Sequence, residues 1–421
     1  MDYYYYIALV IVAAQLLFSL QVYRNYRYAL AKYKKKRSYR PRTALLVPCK
    51  GLDPAFDKNI ASFFNQDCED YILWFVVAEK SDPAYPRLCE LKNKLSQTTK
   101  AHDVQILVAG NINYQPAAGN EQRSCSQKIH NLLYGYNRIP DDIEVLAFAD
   151  SDICVRSDWL SHLIYPLRKS KIGVATGYRW FIPQKKNLPT LALSAVNAKI
   201  VQLLGNTHLN HAWGGSMAIR TELFRQLNLD KIWPKTISDD LSLTYAVKKA
   251  HLKVAFVPAC LVASYELTTW PKLFEFGRRQ FLITRITALR TWWFGLASTI
   301  FSILGLWGTI AIAIYAATKS QIESSQLAIF IIVPILFFAA LLTRAILRQK
   351  LAHKLLKYGR QPTSDEHRAM KAVAAADILC FWLWSLLLLF FIISSAFGRT
   401  IRWRGIRYKL LSPTETMVIG N

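Results

Sequence analysis

The chain has 421 residues, 52% of which are hydrophobic, a share that is high for a water-soluble protein. Lys and Arg number 53 against 28 Asp and Glu, so the formal net charge is +25. Such a charge would suggest a nucleic-acid partner, but no zinc-finger, RRM or basic-zipper pattern accompanies it. The basic residues cluster beside apolar runs, where they orient a membrane protein and contact anionic headgroups, so we expect no nucleic-acid partner.

The first predicted element is a membrane anchor. Residues 6–22 read YIALVIVAAQLLFSLQV, close to the roughly 20 apolar residues that cross a bilayer. Basic residues follow this run instead of preceding it, which is the reverse of a cleavable signal peptide. The pattern predicts an anchor over 1–23 with its N-terminus outside, a basic juxtamembrane segment over 24–42, and a cytoplasmic domain after it.

Residues 43–290 are predicted to form one α/β domain. Short apolar runs of strand character recur at 43–49, 72–78, 104–110, 144–149 and 171–177. Stretches with helical spacing, such as 86–97 and 126–139, lie between them. This alternation favours a mainly parallel sheet, and the continuous hydrophobicity of the strands favours burial on both faces.

Polar residues follow three of these strands at their carboxyl ends. Lys50 and Gly51 follow the first strand, Asp82 lies after the second, and Asp150 and Asp152 end the fourth. Ligands of open α/β sheets bind outside the carboxyl ends of the strands. We therefore expect these side chains to share one rim, which makes a ligand site plausible there.

Asp150 and Asp152, in the sequence ADSDICV, allow two interpretations. One is a turn, because Asp and Ser end strands by hydrogen-bonding their own backbone. The other is a site for Mg²⁺ or Mn²⁺, which prefers carboxylate oxygens and usually keeps waters and substrate phosphates. The motif alone favours the turn. Ser157 and Asp158 could cap the following helix by themselves, however, which leaves the two aspartates without an obvious structural role. The shared rim with Lys50 and Asp82, the downstream SDD motif and the membrane segments together favour the metal site.

Asp239 and Asp240, in the sequence TISDDL, precede a helical pattern. Ser238 is a suitable N-cap and acidic residues suit the first helical turn, so capping is one interpretation. Capping does not require two acids, however, and a carboxylate here could be a general base for an attacking hydroxyl. The residues alone leave both interpretations open.

Two further motifs precede the C-terminal apolar runs. Gly214 and Gly215, after Trp213, allow backbone to approach a ligand closely or simply form a tight loop. The segment 277–285 contains three arginines, which could neutralise a diphosphate leaving group or lie at the headgroup level of a membrane. We expect some of these arginines to face the diphosphate and others to face the membrane headgroups.

Three apolar runs predict a membrane block over 291–397, with spans near 294–317, 327–342 and 373–397. Four full spans would place the basic tail 398–421 outside, against the positive-inside tendency. Either one of these runs is re-entrant or interfacial, or the tail breaks the tendency. We prefer a cytoplasmic tail near the site.

The order of these motifs resembles that of family 2/21 glycosyltransferases, and most closely the ceramide glucosyltransferase and hopanoid-associated group. The motifs are the anchor, Lys-Gly-Leu-Asp, Ser-Asp-Pro, the Lys of SQKIHNL, ADSDICV, GGS, SDD, the Arg-rich segment and the apolar spans. The resemblance runs through TIRWRGIRYKL at 400–410. It implies a GT-A catalytic domain, which is Rossmann-like with a mainly parallel sheet, between N-terminal and C-terminal transmembrane helices of a multi-pass membrane protein.

The resemblance also implies a role for each motif residue. The donor side comprises Asp82, Lys50, Lys128, Asp150, Gly214 and Gly215. Asp150 and Asp152 would hold a divalent metal, Mg²⁺ or Mn²⁺, together with the diphosphate. Asp240 would be the general base, with Asp239 beside it. The acceptor and diphosphate side comprises Trp213, Arg279, Gln280 and Arg285.

The implied reaction is the inverting transfer of a hexose, most simply glucose from UDP-glucose, to a hydroxyl of a ceramide-like or other membrane lipid. The family's Q/R-x-x-R-W signature is incomplete, because the sequence after Arg279 lacks the Arg-Trp pair. Arg279, Gln280 and Arg285 would substitute in part, and the acceptor stays open. Alternatives are transfer of GlcNAc or another sugar to a hopanoid-type lipid, a polysaccharide synthase, or a non-catalytic transporter or scaffold.

Overall fold

Seven strands form the main sheet of the computed structural model, which describes residues 2–34, 38–53, 55–112, 125–319, 322–358, 362–403 and 406–420. In chain order they are β1 (Thr43–Pro48), β2 (Tyr71–Val77), β3 (Asp103–Val108), β4 (Val145–Ala149), β5 (Ile172–Pro183), β6 (Ser216–Arg220) and β7 (Lys253–Glu266). Their order in the sheet is β3-β2-β1-β4-β6-β5-β7, and β6 alone among them runs antiparallel to its neighbours. The predicted mainly parallel sheet is confirmed.

The helices of the described residues flank this sheet or extend beyond it. They are α1 (Asp2–Lys32), α2 (Phe56–Ala61), α3 (Ala84–Leu95), α4 (Gln127–Tyr136), α5 (Trp159–Ile164), α6 (Leu188–Val201), α7 (Thr221–Gln226), α8 (Leu229–Ile232), α9 (Asp239–Lys249), α10 (Trp270–Thr287), α11 (Leu289–Ile303), α12 (Thr309–Ala317), α13 (Ser324–Lys357), α14 (Ser364–Leu379) and α15 (Leu383–Ser394).

Both faces of the sheet are covered by apolar side chains. Successive strand residues point to opposite sides of the sheet, and the residues on each side pack in a different cluster. Leu45 belongs to the cluster that contains Trp159 of α5, whereas Leu46 belongs to the cluster that contains Phe148 and Trp233. All of these side chains are at most 1% exposed. The continuous hydrophobic runs of the central strands follow from this double coverage.

Three stretches of helix are long and apolar enough to cross a membrane: Tyr4–Lys32, Leu289–Ala317 and Ser324–Lys357. A fourth exists only if α14 and α15, which meet at an angle of 86°, form one bent span; otherwise they are a re-entrant pair. The run predicted as a span near 373–397 therefore contains this sharp break. The basic segment predicted over 24–42 begins inside α1, and its residues 35–37 lie outside the described part of the chain.

The C-terminal tail is folded back onto the α/β domain. It forms an antiparallel sheet of β8 (Thr400–Trp403), β9 (Ile406–Ser412) and β10 (Glu415–Gly420). Ile401 and Tyr408 pack in one cluster with Ile237, the residue just before the Ser-Asp-Asp motif, and with Leu282 of α10. The tail thus lies beside the start of α9, the position that we expect for a tail near the site.

Candidate active site

The carboxyl ends of β1, β2 and β4 lie at one edge of the sheet. The three strands pair in parallel, with Thr43 opposite both Tyr71 and Val145. At this edge Asp82 Oδ1 accepts hydrogen bonds from the backbone N–H of Gly51 at 2.8 Å and of Ala84 at 2.9 Å. Asp82 therefore fixes the loop after β1 against the start of α3.

Gly51 has the backbone conformation that its place in this loop requires. Its φ is +68°, in the left-handed region that favours glycine. The neighbouring Lys50 is exposed on the same loop. Lys50 thus belongs to a turn whose shape Asp82 stabilises.

Lys128 connects the two acidic motifs. It is the second residue of α4, whose N-cap Ser126 accepts a hydrogen bond from Ile129 N. Its Nζ lies 2.7 Å from Asp150 Oδ1 and 3.0 Å from Asp239 Oδ2. Burial opposes the charge, but Asp150 and Asp239 raise the pKa of Lys128 above its usual value, so the lysine is a fixed cation between two carboxylates.

Asp239 and Asp240 open α9 but have different partners. Asp240 Oδ2 accepts from Gly214 N at 3.0 Å, while its Oδ1 accepts from Ser238 Oγ at 2.5 Å and Leu241 N at 2.8 Å. The Asp239 side chain is only 7% exposed and faces Lys128. Burial raises the pKa of Asp239 to about 6, although Lys128 opposes the shift.

The residues at the start of α9 can cap the helix and also belong to the candidate active site. Ser238 is the N-cap, and its side chain accepts from Leu241 N at 3.2 Å. Asp240 adds a second bond to the same N–H, whereas Asp239 contributes to neither of these two bonds. The interpretation of this motif as a cap accounts for Ser238 but not for the contact between Asp239 and Lys128.

The loop of Gly214 and Gly215 is packed too closely for any other residue. A Cβ atom at Gly214 would lie 2.5 Å from Asp239 Oδ2 and 2.7 Å from Lys128 Nζ. At Gly215 it would lie 2.2 Å from the Trp213 ring. The two glycines thus let the backbone reach the acidic cluster, while Trp213, 7% exposed, packs beneath them.

Asp152 lies in a less neutralised position than Asp150. Burial, followed by Asp150, raises the pKa of Asp152 to about 7, and Arg179 opposes this shift.

Asp158 is indeed the N-cap of α5, but its side chain makes no capping bond and instead accepts from Arg156 Nε at 2.9 Å. The expected side-chain cap at Asp158 is therefore absent.

Arg179 is a residue of the site that sequence reasoning missed. It lies on β5, and its guanidinium is 5.7 Å from the centroid of the Trp213 ring and 4.7 Å from that of Phe181. Burial raises the pKa of Glu266, and the charge of Arg179 opposes this shift. The only local signal was an arginine inside an apolar strand, GYRWFIP, and strands without any binding role can contain one as well.

The arginines of α10 make two kinds of contact within the chain, and their expected division between a diphosphate and the membrane headgroups stays a prediction. Arg278 donates to carbonyl oxygens of Ser394, Phe397 and Thr400 at 3.2–3.3 Å. Arg285 donates to those of Ala396 and Gly398. Both therefore hold the start of the tail, and a role of Arg285 toward a diphosphate stays a prediction.

Arg279 points toward aromatic rings instead. Its guanidinium lies 5.7 Å from the centroid of the Phe276 ring and 5.8 Å from that of Trp403, on β8 of the tail. Gln280 follows it on α10, partly buried. The tail thus places Trp403 beside Arg279. The sequence that directly follows Arg279 lacks the Arg-Trp pair of the family signature.

The mainly parallel sheet and the apolar helices at both ends agree with the GT-A fold that the resemblance implies. A family model described as glycosyl transferase family 21 matches residues 4–416. The chain therefore belongs to glycosyl transferase family 21, and the resemblance seen in the sequence is confirmed.

Solved structures of other glycosyltransferases are similar to this chain at low identity. One is mannosyltransferase PcManGT from Pyrobaculum calidifontis in complex with GDP-Man and Mn²⁺, with 14% identity and a TM-score of 0.43, covering 93% of this chain and 96% of that one. Another is glucosyl-3-phosphoglycerate synthase from Mycobacterium tuberculosis in complex with Mn²⁺, uridine-diphosphate and glucosyl-3-phosphoglycerate, with 12% identity and a TM-score of 0.35, covering 57% and 78%. At this level of similarity neither structure bears on the substrates of this chain.

Proposed function

We propose that this glycosyltransferase moves a hexose from a nucleoside-diphosphate sugar to a hydroxyl group of a membrane lipid, with inversion at the anomeric carbon. UDP-glucose is the first donor to test. The observation that carries the proposal is the position of Lys128 between Asp150 and Asp239. Lys128 thereby connects two parts of the site. One is the rim of the sheet, where a donor diphosphate would bind, and the other is α9, the helix that carries the candidate base.

Asp150 and Asp152 are the residues that would hold a divalent metal. Among the described residues no group of three or more His, Cys, Asp or Glu side chains could hold one, but Mg²⁺ typically uses one or two carboxylates plus substrate phosphates. Asp150 and Asp152 are carboxyl groups, the ligand type that this cation prefers, and burial and then Asp150 raise the pKa of Asp152, so a cation beside these two carboxylates would stabilise the ionised form. A bound metal would neutralise charge on the departing diphosphate.

Lys128 and Lys50 would assist at the same rim. Lys128 is held as a cation by its two carboxylates, and an ammonium group at this position would attract the diphosphate. Asp82, which orders the loop that carries Lys50, would help to shape the nucleotide pocket. These groups are preorganised, so little rearrangement would be needed when the donor binds.

Asp240 is our candidate for the general base. It is more accessible than Asp239, and hydrogen bonds from Gly214 N, Ser238 Oγ and Leu241 N fix its orientation. These three donors leave one carboxylate lone pair for the proton of an acceptor hydroxyl. Asp239, buried against Lys128, would position that lysine and not take the proton.

The surroundings of α10 favour a lipid acceptor. Its residues Trp270 and Phe274 are 42% and 36% exposed, and Leu188 at the start of α6 is 66% exposed. Aromatic and apolar side chains of this kind are typical of a helix at the membrane–water interface. An acceptor hydroxyl at the headgroup level would therefore lie near the rim of the sheet while the donor arrived from the aqueous side.

The direct test is to incubate the purified chain with a panel of UDP-sugars and GDP-sugars and a total lipid extract, and to identify glycolipid products by mass spectrometry. We expect one UDP-hexose to label a hydroxylated lipid. The Asp240→Asn variant serves as the inactive reference, and Asp141→Asn, a change at an exposed aspartate before the amino end of β4, as the matched control. Labelling that is equal in the wild type and Asp240→Asn would contradict the proposal.

A further inference from the structure

A buried group of charged side chains lies among the apolar helices and takes no part in the candidate transfer site. Arg344 and Arg348 on α13 are 2% and 3% exposed, and Asp377 on α14 is fully buried. Lys199 of α6 donates to Ser385 Oγ of α15 at 2.8 Å. Ionisable groups among membrane helices are expensive to bury and for that reason often mark functional sites.

Arg348 has a complete set of partners. Its Nε and Nη2 donate to the two carboxylate oxygens of Asp377 at 2.6 and 2.5 Å, and its Nη1 donates to Gln202 Oε1 at 3.2 Å. Gln349 Nε2 donates to Asp377 Oδ2 at 2.7 Å. The charge of Asp377 is therefore compensated by Arg348.

Among the described residues, Arg344 has no partner comparable to that of Arg348. Its Nη1 is buried and, within the part of the chain that the structure describes, has no hydrogen-bond acceptor, while its guanidinium lies 4.4 Å from the centroid of the Phe18 ring. Burial and then Arg348 lower the pKa of Lys199. Even with Lys199 neutral, two guanidinium groups oppose one carboxylate, so the cluster has an excess of positive charge.

A cavity of about 70 Å³ adjoins these groups and is lined by Arg344, Arg348 and Lys199. Since a water molecule occupies roughly 30 Å³ in the liquid, the space admits a group of the size of a phosphate. Apolar side chains, among them Leu341 and Leu388, line other parts of the wall. The cavity thus combines a cationic end with surfaces that suit hydrocarbon.

We propose that this cavity binds the phosphate group of an anionic phospholipid, with Arg344 as its main ligand and Lys199 as a second. Basic pockets between transmembrane helices commonly bind lipid headgroups. A phosphate would give the Arg344 guanidinium both an acceptor and a counter-charge. Because Phe18 of α1 lines the same cavity as α6, α13 and α15, bound lipid would also hold the N-terminal anchor to the C-terminal helices.

The test uses the full-length chain purified in a neutral detergent and titrated with phosphatidylglycerol or phosphatidylcholine. Native mass spectrometry counts the lipids retained, and thermal unfolding reports stabilisation. We expect phosphatidylglycerol to be retained and to raise the unfolding temperature, and Arg344→Met to weaken its binding about tenfold, the loss of one charged hydrogen bond. Arg290→Met, at an exposed arginine of α11, is the matched control and should leave binding unchanged.

Two comparisons decide the outcome. Equal retention of phosphatidylglycerol in Arg344→Met and Arg290→Met would overturn the proposal, because the lipid would then follow overall charge. Inorganic phosphate should compete with the lipid; binding of phosphate alone, with no retention of phosphatidylglycerol, would also overturn the lipid assignment. Should Arg344→Met fail to fold, Lys199→Gln, which loses a single hydrogen bond to Ser385, should show a smaller loss of retention, and unchanged retention would count against the site.

Discussion

Lys128 Nζ lies 3.0 Å from Asp239 Oδ2, so a residue at the start of α4 is paired with the first residue of α9. The same ammonium lies 2.7 Å from Asp150 Oδ1 at the end of β4. Three elements that are distant in the sequence are thus joined by one cation. This relationship converts two separate acidic motifs into one site.

Removal of the Lys128 charge should impair both stability and activity. In Lys128→Met, Asp150 and Asp239 would remain partly or fully buried without their counter-ion, a loss on the order of 3 kcal/mol for a buried pair. We expect a lower unfolding temperature and weaker donor binding by titration calorimetry. Lys249→Met, at an exposed lysine of α9, is the control; equal donor affinity in the two variants would show that Lys128 does not act on the donor.

Gly214→Ala should slow transfer about 10²-fold while leaving the fold intact. The added Cβ would approach Asp239 Oδ2 to 2.5 Å and Lys128 Nζ to 2.7 Å, so the cluster must shift. A displacement of about 1 Å can cost 10²-fold in rate, and we expect a loss of that order in initial-rate assays. Gly308→Ala, where the nearest atom would be 3.9 Å away, should retain full activity; equal activity of the two alanine variants would refute this role of the loop.

Trp403 should contribute to the acceptor side of the site. Its ring lies 5.8 Å from the Arg279 guanidinium, and the tail packs on Ile237 beside the Ser-Asp-Asp motif. We expect Trp403→Ala to raise the KM for the lipid acceptor with little change in the KM for the donor, whereas Trp403→Phe should retain most activity. An unchanged acceptor KM in Trp403→Ala, measured beside the tail control Met417→Ala, would exclude this contribution.

His211 should make the fold sensitive to acid. Burial, and then Lys248, lower the pKa of His211 to about 3, and its Nε2 lies 3.0 Å from Thr291 Oγ1. An unfolded histidine takes up its proton near pH 6.5, so between about pH 6.5 and 3 the unfolded state binds more protons. The free energy of unfolding therefore falls as the pH is lowered through this window.

The variant His211→Gln replaces the imidazole ring with a side chain that does not titrate. Thermal unfolding of both proteins between pH 7 and pH 4 should show a steeper decrease for the wild type than for the variant. The comparison isolates His211 from carboxyl groups such as Asp152 and Asp239, whose raised pKa values act in the opposite direction. Parallel pH profiles for the two proteins would show that His211 is not held neutral by the fold.

Much of the sheet could be predicted because its signals are local. The five apolar runs at 43–49, 72–78, 104–110, 144–149 and 171–177 each correspond to one of the strands β1 to β5. The continuous apolar character of these runs predicted burial on both faces and hence parallel pairing. Strands β6 and β7 were not predicted, and the antiparallel direction of β6 depends on its neighbours and not on its own five residues.

The candidate site was predictable only as far as its motifs go. Asp82, Asp150 and Asp152 follow strands, so their common edge could be expected from topology. The pairing of Lys128 with two carboxylates, the approach of Arg179 and the contact of Trp403 with Arg279 depend on how distant elements pack. No spacing in the sequence encodes such contacts.

The break between α14 and α15 also could not be predicted from the sequence. A hydropathy run over 373–397 reads as one span, because composition alone does not show an 86° bend. The tail follows this bend, and its first carbonyl groups are held by Arg278 and Arg285. This connection returns the tail to the sheet domain, in line with the positive-inside tendency if that domain is cytoplasmic.

The most direct test of the proposed mechanism compares Asp240→Asn, Asp239→Asn and the control Asp141→Asn for two quantities, lipid glycosylation and donor binding. If Asp240 is the general base, Asp240→Asn should lose on the order of 10²–10⁴-fold in turnover while it binds the nucleotide sugar as tightly as the control. Asp239→Asn should instead weaken donor binding, because Lys128 loses a contact that positions its ammonium group toward the donor. Turnover by Asp240→Asn at the rate of the control would contradict the central claim.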